Sequence, residues 1–283
     1  MRPKQWAKNL FIFAPLVFDQ KLTDPTALRN TFFGFVVFCL LSSAVYLIND
    51  LADVEADRQH PTKRNRPIAA GELSVLTARI AAVAFIAISL TAALLFFPLF
   101  AALALGYLVL NLAYTFRLKH VALLDVLVLA SFYVMRVGAG VLLVDVERFS
   151  PWIYASTIFL ALLIGLGKRR AELTLLEGTA NTHRKVLDGY TIPFLDELIV
   201  IVSAATIMTY SLYTFSAPNV PDNHTMMLTI PFVIYGIFRY MYLLKVKEIG
   251  GAPEEIAYSD RPIQATIVLW GLAVILIFYI FRP

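Results

Sequence analysis

The chain lacks most of what a water-soluble protein of 283 residues needs. Charged residues make up 16% and hydrophobic residues 59%, against about 25% and 45–50% in soluble domains. A soluble core cannot absorb that excess, because the surface of a folded domain sets a floor on polar content. The same composition excludes disorder, collagen and coiled coil. Cys39 is the only cysteine, so a small disulfide scaffold is excluded as well. The net charge of +4 carries no signal for nucleic acid, since the basic residues cluster in short segments between apolar runs, as membrane topology demands. What remains is an all-α polytopic membrane protein, with the lipid bilayer as its first partner.

A spanning helix needs about 20 mostly apolar residues. Eight runs qualify, at 27–51, 75–96, 98–116, 121–143, 151–167, 192–215, 226–244 and 263–281. A ninth, Leu10 to Phe18, is short and contains Pro15. Preceded by Arg2, Lys4 and Lys8, it has the basic and apolar parts of a signal peptide. No small-residue cleavage site follows, because Asp19, Gln20 and Lys21 come next. The run therefore reads as the end of a retained first helix starting near Pro3, which predicts a bundle of nine transmembrane helices. With the N-terminus in the cytoplasm, seventeen Lys and Arg residues fall in cytoplasmic segments (2–8, 58–66, 117–119, 168–185 and 245–261). Four, Lys21, Arg29, Arg148 and Arg282, fall opposite. That asymmetry predicts N-in, C-out, with cytoplasmic loops at 52–73, 168–190 and 245–262. No residue-level repeat or low-complexity linker divides the chain, so one bundle over residues 1–283 accounts for it.

The segment Asn49-Asp50-Leu51-Ala52-Asp53-Val54-Glu55-Ala56-Asp57 ends the second helix at the cytoplasmic side. At roughly 100° per residue, Asp50, Asp53 and Asp57 lie within about 60° of one another, while Glu55 points to solvent. Three carboxylates on one face repel unless a cation joins them. Hard oxygen ligands in this number suit Mg²⁺, which takes one or two carboxylates and fills its shell with water and substrate phosphate. A merely solvated helix end is the blander reading, but acidic residues at a helix C-terminus oppose the macrodipole. Arg58, Lys63, Arg64 and Arg66 follow within nine residues of Asp57, and Pro61 and Pro67 stop the helix from continuing. A basic loop beside a metal–diphosphate site grips phosphate oxygens; positive-inside anchoring explains the basicity but not its pairing with carboxylates. His60 reads as a loop residue without a catalytic role.

The pattern NDxxDxxxD at this position resembles the UbiA superfamily of intramembrane prenyltransferases, which use it to bind Mg²⁺–diphosphate. The wider match is similar to the branch of decaprenyl-phosphate phosphoribosyltransferases. It is carried by Arg2-Pro3-Lys4-Gln5-Trp6-Ala7-Lys8-Asn9, Ser43-Ala44-Val45-Tyr46-Leu47-Ile48-Asn49-Asp50, the 53–71 block, Leu118-Lys119-His120, Gly167-Lys168-Arg169 with Ala171-Glu172-Leu173, and Pro253-Glu254-Glu255-Ile256-Ala257. The resemblance covers essentially the whole chain. It implies a UbiA-like fold and Asn49, Asp50, Asp53 and Asp57 as the metal set, with the three aspartates catalytic. Lys63, Arg64, Arg66, Lys119, Lys168 and Arg169 become donor-phosphate ligands. Lys8, Asn9, Tyr114, Asp125, Arg136 and Glu172 are further polar candidates.

Asp125 and Arg136 stand eleven residues apart, so they share a face of one helix. Ionisable groups at such depth mark a cavity or pathway, with a structural pair between helices as the equal alternative for Arg136. Lys168 and Glu172 fit an i,i+4 surface pair. Asp196, Glu197 and Arg239 take no assigned role, and Cys39 reads as a small core or lipid-facing residue. Prenyltransferases of the superfamily usually carry a second motif, DxxxD, after the sixth helix; this chain offers Glu172, Glu177 and Asp188 instead. A mixed basic and acidic motif suits a donor with two separated phosphate groups. The resemblance thus implies a plasma-membrane enzyme with a cytoplasmic active site. It would move 5-phosphoribosyl from 5-phosphoribosyl 1-diphosphate to decaprenyl phosphate, for arabinan precursors of the cell wall. Transfer of an isoprenoid to an aromatic acceptor is the alternative reading, a transporter the reading from another class, and homo-oligomerisation stays open.

Overall fold

The computed structural model describes residues 3–59, 63–144, 146, 150–177, 185–248, 256 and 259–280. No strand occurs among the described residues. Among the described residues eight helices are long and apolar enough to cross a membrane, and the protein is a multi-pass membrane protein. The chain packs into two compact units: residues 1–16, 21–118 and 135–145, and residues 17–20, 119–134 and 146–283.

The first unit opens with a 3-10 helix, Pro3–Phe13, that passes into the short α1 (Ala14–Phe18). At three residues per turn every third side chain eclipses, so Trp6, Asn9 and Ile12 line one edge, from which Trp6 and Asn9 reach α2 (Pro25–Ala52). Trp6 Nε1 donates to Ser43 Oγ at 3.1 Å, Asn9 is fully buried beside Cys39 and Ser42, and Ile12 is fully buried. Leu10, off that edge, is 56% exposed. Asp24 caps α2 by accepting from the Thr26 and Ala27 amides, with Pro25 at the first helical position. α3 (Val54–Gln59) follows one residue later. α4 (Val75–Phe96), capped by Ser74, and α5 (Pro98–Phe116) pack on α2. Their outward leucines, Leu95 and Leu99 at 74% exposure, suit a lipid rather than an aqueous surface. Phe38 of α2 contacts the rings of Phe100 and Tyr107 of α5.

α6 (Leu124–Leu143) contributes its last turns to the first unit and its first turns to the second. There, α7 (Pro151–Glu177) packs along α8 (Ile192–Ser216), and α9 (Ile230–Lys245) along α10 (Arg261–Tyr279). Leu163, Leu195, Ile199 and Leu244 lie at the heart of this core. The Tyr240 side chain of α9 fills the space that a Cβ on Gly167 of α7 would take.

Three boundaries differ from those the hydropathy predicts. The first segment is a 3-10 helix rather than the start of an α-helix. α7 runs ten residues past 167, to Glu177, because its charged turn finds partners inside the protein. The run at 226–244 begins as a 3-10 turn, Thr225–Thr229, before α9.

Candidate functional site

At the end of α2, Asp50 and Asp57 are buried, at 8% and 3% exposure. The helix breaks at Asp53 (φ −98°, ψ 7°). The Asp53 amide nevertheless donates to Asn49 O at 3.0 Å, and the Asp57 amide to Asp53 O at 2.8 Å. These i→i−4 bonds carry the helical phase across the break, so Asp50 and Asp57 stay on one side. Arg66 joins them: its Nη1 donates to Asp50 Oδ1 at 3.1 Å and to Asp57 Oδ2 at 2.5 Å. The arginine is delivered by a folded turn. The Leu73 amide donates to Pro67 O, Gly71 takes φ +79°, and Ile68 is buried against Leu47, Ala78 and Ala82. Lys63 and Arg64 precede it in a 3-10 turn, Lys63 half-buried and Arg64 exposed. Glu55 lies 77% exposed beside Arg58, on the solvent side as its angle predicts. A small cavity of about 50 Å³ opens between Ser43, Tyr46, Asp50 and Pro67.

Among the described residues no three His, Cys, Asp or Glu side chains surround a common cation position. The residues present still fit Mg²⁺, which takes one or two carboxylates and completes its shell with water and phosphate. Asp50 and Asp57 already share a cation, the Arg66 guanidinium. Asn49 and Asp53, both half-buried, flank them.

Deeper in the first unit the structure joins two candidates that lie 127 residues apart. Arg136 Nε donates to Asn9 Oδ1 at 2.8 Å, and Arg136 Nη2 to Tyr107 Oη at 2.9 Å. Asn9 in turn donates toward Cys39 Sγ and Ser42 Oγ at 3.3 Å. Lys8 is half-buried next to it. Cys39 is thus a buried core residue. Tyr114 lies half-buried near the end of α5.

In the second unit Asp125 is fully buried and Arg169 is 1% exposed. Arg169 Nε donates to Asp125 Oδ2 at 2.6 Å, and its Nη1 to Glu172 Oε2 at 2.5 Å. The expectation of Arg169 as a phosphate ligand therefore meets a guanidinium turned inward onto two carboxylates. Asp125 pairs between elements, with Arg169 and with Tyr190, whose hydroxyl donates to Asp125 Oδ1 at 2.6 Å. That hydroxyl accepts from the Leu123 amide at 2.7 Å. Burial and the Asp125 carboxylate push the Tyr190 hydroxyl's pKa above its ordinary value, so it stays a donor. Arg170 faces the other way, to Asp196 at 2.9 Å and the Leu244 carbonyl at 3.0 Å, and Lys245 shares Asp196. Arg239 pairs with Asp260, the cap of α10. Lys119, in the turn after α5, is 6% exposed, and Lys168 is half-buried. Tyr190 carries no motif that marks it; its one cue is a position just ahead of the Thr191 cap and Pro193 that start α8. His60 and, apart from Ile256, the 253–257 motif lie outside the described residues.

Comparison with known proteins gives a consistent result. The model of the UbiA prenyltransferase family matches residues 11–252. A decaprenyl-phosphate phosphoribosyltransferase of Corynebacterium glutamicum is 37% identical over 99% of this chain and 86% of that protein. One from Mycobacterium tuberculosis is 37% identical over 95% of this chain and 90% of that protein. A solved UbiA homologue from Archaeoglobus fulgidus, bound to GPP and Mg²⁺, superposes with a TM-score of 0.74 at 23% identity, covering 97% of each chain.

Proposed function

Since the chain belongs to the UbiA prenyltransferase family, we propose that it moves 5-phosphoribosyl from 5-phosphoribosyl 1-diphosphate to a polyprenyl phosphate such as decaprenyl phosphate, releasing diphosphate. The observation that carries this reading is the convergence of Asp50 and Asp57 on one cation in front of a basic turn. Relatives named for this reaction match nearly the whole chain, which favours it over isoprenoid transfer to an aromatic acceptor. So does the Lys168-Arg169-Arg170-Ala171-Glu172 segment, where an Asp-rich second motif would serve a prenyl donor.

Asp50, Asp53 and Asp57, with Asn49 beside them, are the residues that would hold Mg²⁺. Bound there with the donor, Mg²⁺ would supply charge neutralisation of the departing diphosphate. Lys63, Arg64 and Arg66 grip the donor's water-soluble phosphates, and Lys119 and Lys168 are phosphate ligands by charge and type. The lipid phosphate is already an anionic nucleophile, so no residue has to act as a strong base. In this reading these groups face the cytoplasm, where a soluble phosphorylated sugar is found, and the positive-inside asymmetry supports that side. The first segment serves as a ninth span: about 22 Å of 3-10 helix and about 7 Å of α1 together approach the thickness of the hydrocarbon core.

Membranes carrying the protein, incubated with labelled 5-phosphoribosyl diphosphate and polyprenyl phosphate, are expected to transfer label into lipid. Label that enters lipid only from a prenyl diphosphate would reverse the choice. Arg66→Ala is expected to raise the donor KM about 10- to 100-fold, the worth of one charge-assisted phosphate contact. The KM for polyprenyl phosphate should hardly change. A selective loss of lipid affinity would take this turn away from the donor.

A further inference from the structure

Arg66 holds a position that a phosphate grip alone does not explain. A single nitrogen, Nη1, reaches Asp50 Oδ1 at 3.1 Å and Asp57 Oδ2 at 2.5 Å. These are the carboxylates assigned above to Mg²⁺, and all three residues lie in the first unit. A donor's phosphate and these carboxylates therefore draw on the same guanidinium. A divalent ion and that guanidinium draw on the same oxygens, and two cations side by side repel.

The geometry says which partner gives way. The Asp50 and Asp57 side chains are 10% and 4% exposed, on a helical phase held by the Asn49–Asp53 and Asp53–Asp57 backbone bonds. The Arg66 side chain is 23% exposed. Its backbone is tied: the amide donates to Lys63 O at 2.9 Å, the carbonyl accepts from the Ala70 amide at 2.8 Å, and Ile68 is buried two residues on. What can change is the arginine side chain itself, by rotamer flips of the kind exposed residues make within nanoseconds. Beside Asp50, the cavity of about 50 Å³ has room for a few of the water molecules that a bound Mg²⁺ keeps.

We propose that Arg66 and a divalent cation compete for Asp50 and Asp57, and that a diphosphate resolves the competition by taking the displaced guanidinium. Metal alone has to push Arg66 into water. Diphosphate alone has to draw it away from two carboxylates whose charge repels phosphate. Together, each supplies the partner that the other removes. The site then selects the metal–diphosphate complex over either component, and Arg66 is the residue that couples them. The inference rests on the metal–diphosphate reading above and deepens it.

Mn²⁺, a paramagnetic stand-in for Mg²⁺, reports binding to the full chain in detergent by electron paramagnetic resonance, with no turnover needed. With no donor present, Arg66→Ala should tighten Mn²⁺ binding about tenfold, within the usual range of coupling between ligands. Arg58→Ala is the control, since it removes a charge one residue from Asp57 whose guanidinium pairs with Glu55 instead. It should change Mn²⁺ affinity less than about twofold, as an exposed ion pair allows. Adding inorganic diphosphate should reverse the order, the wild type then holding Mn²⁺ more tightly than Arg66→Ala. A second measurement needs no variant. Phenylglyoxal labelling of Arg66 in the wild type, mapped by mass spectrometry, should quicken with saturating Mn²⁺ and slow again when diphosphate is added. Unchanged or weaker Mn²⁺ binding in Arg66→Ala, or equal tightening in Arg58→Ala, overturns the coupling. So does Arg66 labelling that is indifferent to Mn²⁺. A wild type that binds no Mn²⁺, with or without diphosphate, removes the underlying metal reading, and this inference with it.

Discussion

Two arginines in this protein each bridge two carboxylates, and they are anchored in opposite ways. Arg66 rides on a turn, keeps 23% of its side chain exposed, and reaches Asp50 and Asp57 at the end of α2. Arg169 rises from the middle of a long helix, keeps 1%, and reaches Asp125 and Glu172. The charges are alike, but burial separates their roles. A partly solvated guanidinium has water as an alternative partner, so removing a carboxylate near it costs little. A buried one has none, and deleting its partner leaves an uncompensated charge. The first arrangement is suited to exchanging partners with a ligand, the second to holding a shape.

If that contrast is right, Asp125→Asn is the most damaging single change. It should destabilise the folded protein by about 3–5 kcal/mol, read from denaturant or thermal unfolding in detergent. A loss below about 1 kcal/mol would erase the difference between the two arginines. Asp53→Asn, between Asp50 and Asp57 in the chain, should do the reverse. Transfer activity should fall at least about tenfold, roughly 1.4 kcal/mol in the barrier, while unfolding is unchanged. Full activity across a Mg²⁺ titration would remove Asp53 from the metal set. The finest test is alkaline. The folded protein holds the Tyr190 proton above the ordinary tyrosine value, so the stability it contributes is complete below about pH 10 and drains away as pH rises through the folded value. Tyr190→Phe should flatten that alkaline slope relative to wild type, and identical slopes would deny the Tyr190–Asp125 bond its role.

The spans were legible because the bilayer imposes their length. Pro25–Ala52, Val75–Phe96 and Pro98–Phe116 fall within two residues of the apolar runs. The acidic face of residues 50–57 was legible because helical phase survives the break at Asp53. Asp125 and Arg136 show where such reasoning runs out. They share a helical face, but eleven residues separate them by about 16 Å along the axis, so each pairs with a different neighbour. Those neighbours, Arg169 and Tyr190 for one, Asn9 and Tyr107 for the other, are chosen by tertiary packing. Nor does local pattern betray a 3-10 helix of eleven residues, since such runs rarely exceed three or four.

That opening helix sets a rule for its own length. With three residues to a turn, inserting one residue between Trp6 and Asn9 rotates everything on one side of the insertion by about 120°. Asn9 would swing off Arg136, and Ile12 out of its buried position, or Trp6 would leave Ser43. Three inserted residues restore the azimuth but slide the two halves apart by about 6 Å. Trp6 and Asn9 could then no longer both keep the α2 partners they now hold, Ser43 at one level and Cys39 and Ser42 at the next. The segment behaves like a key cut to one depth: its spacing cannot change without losing a partner.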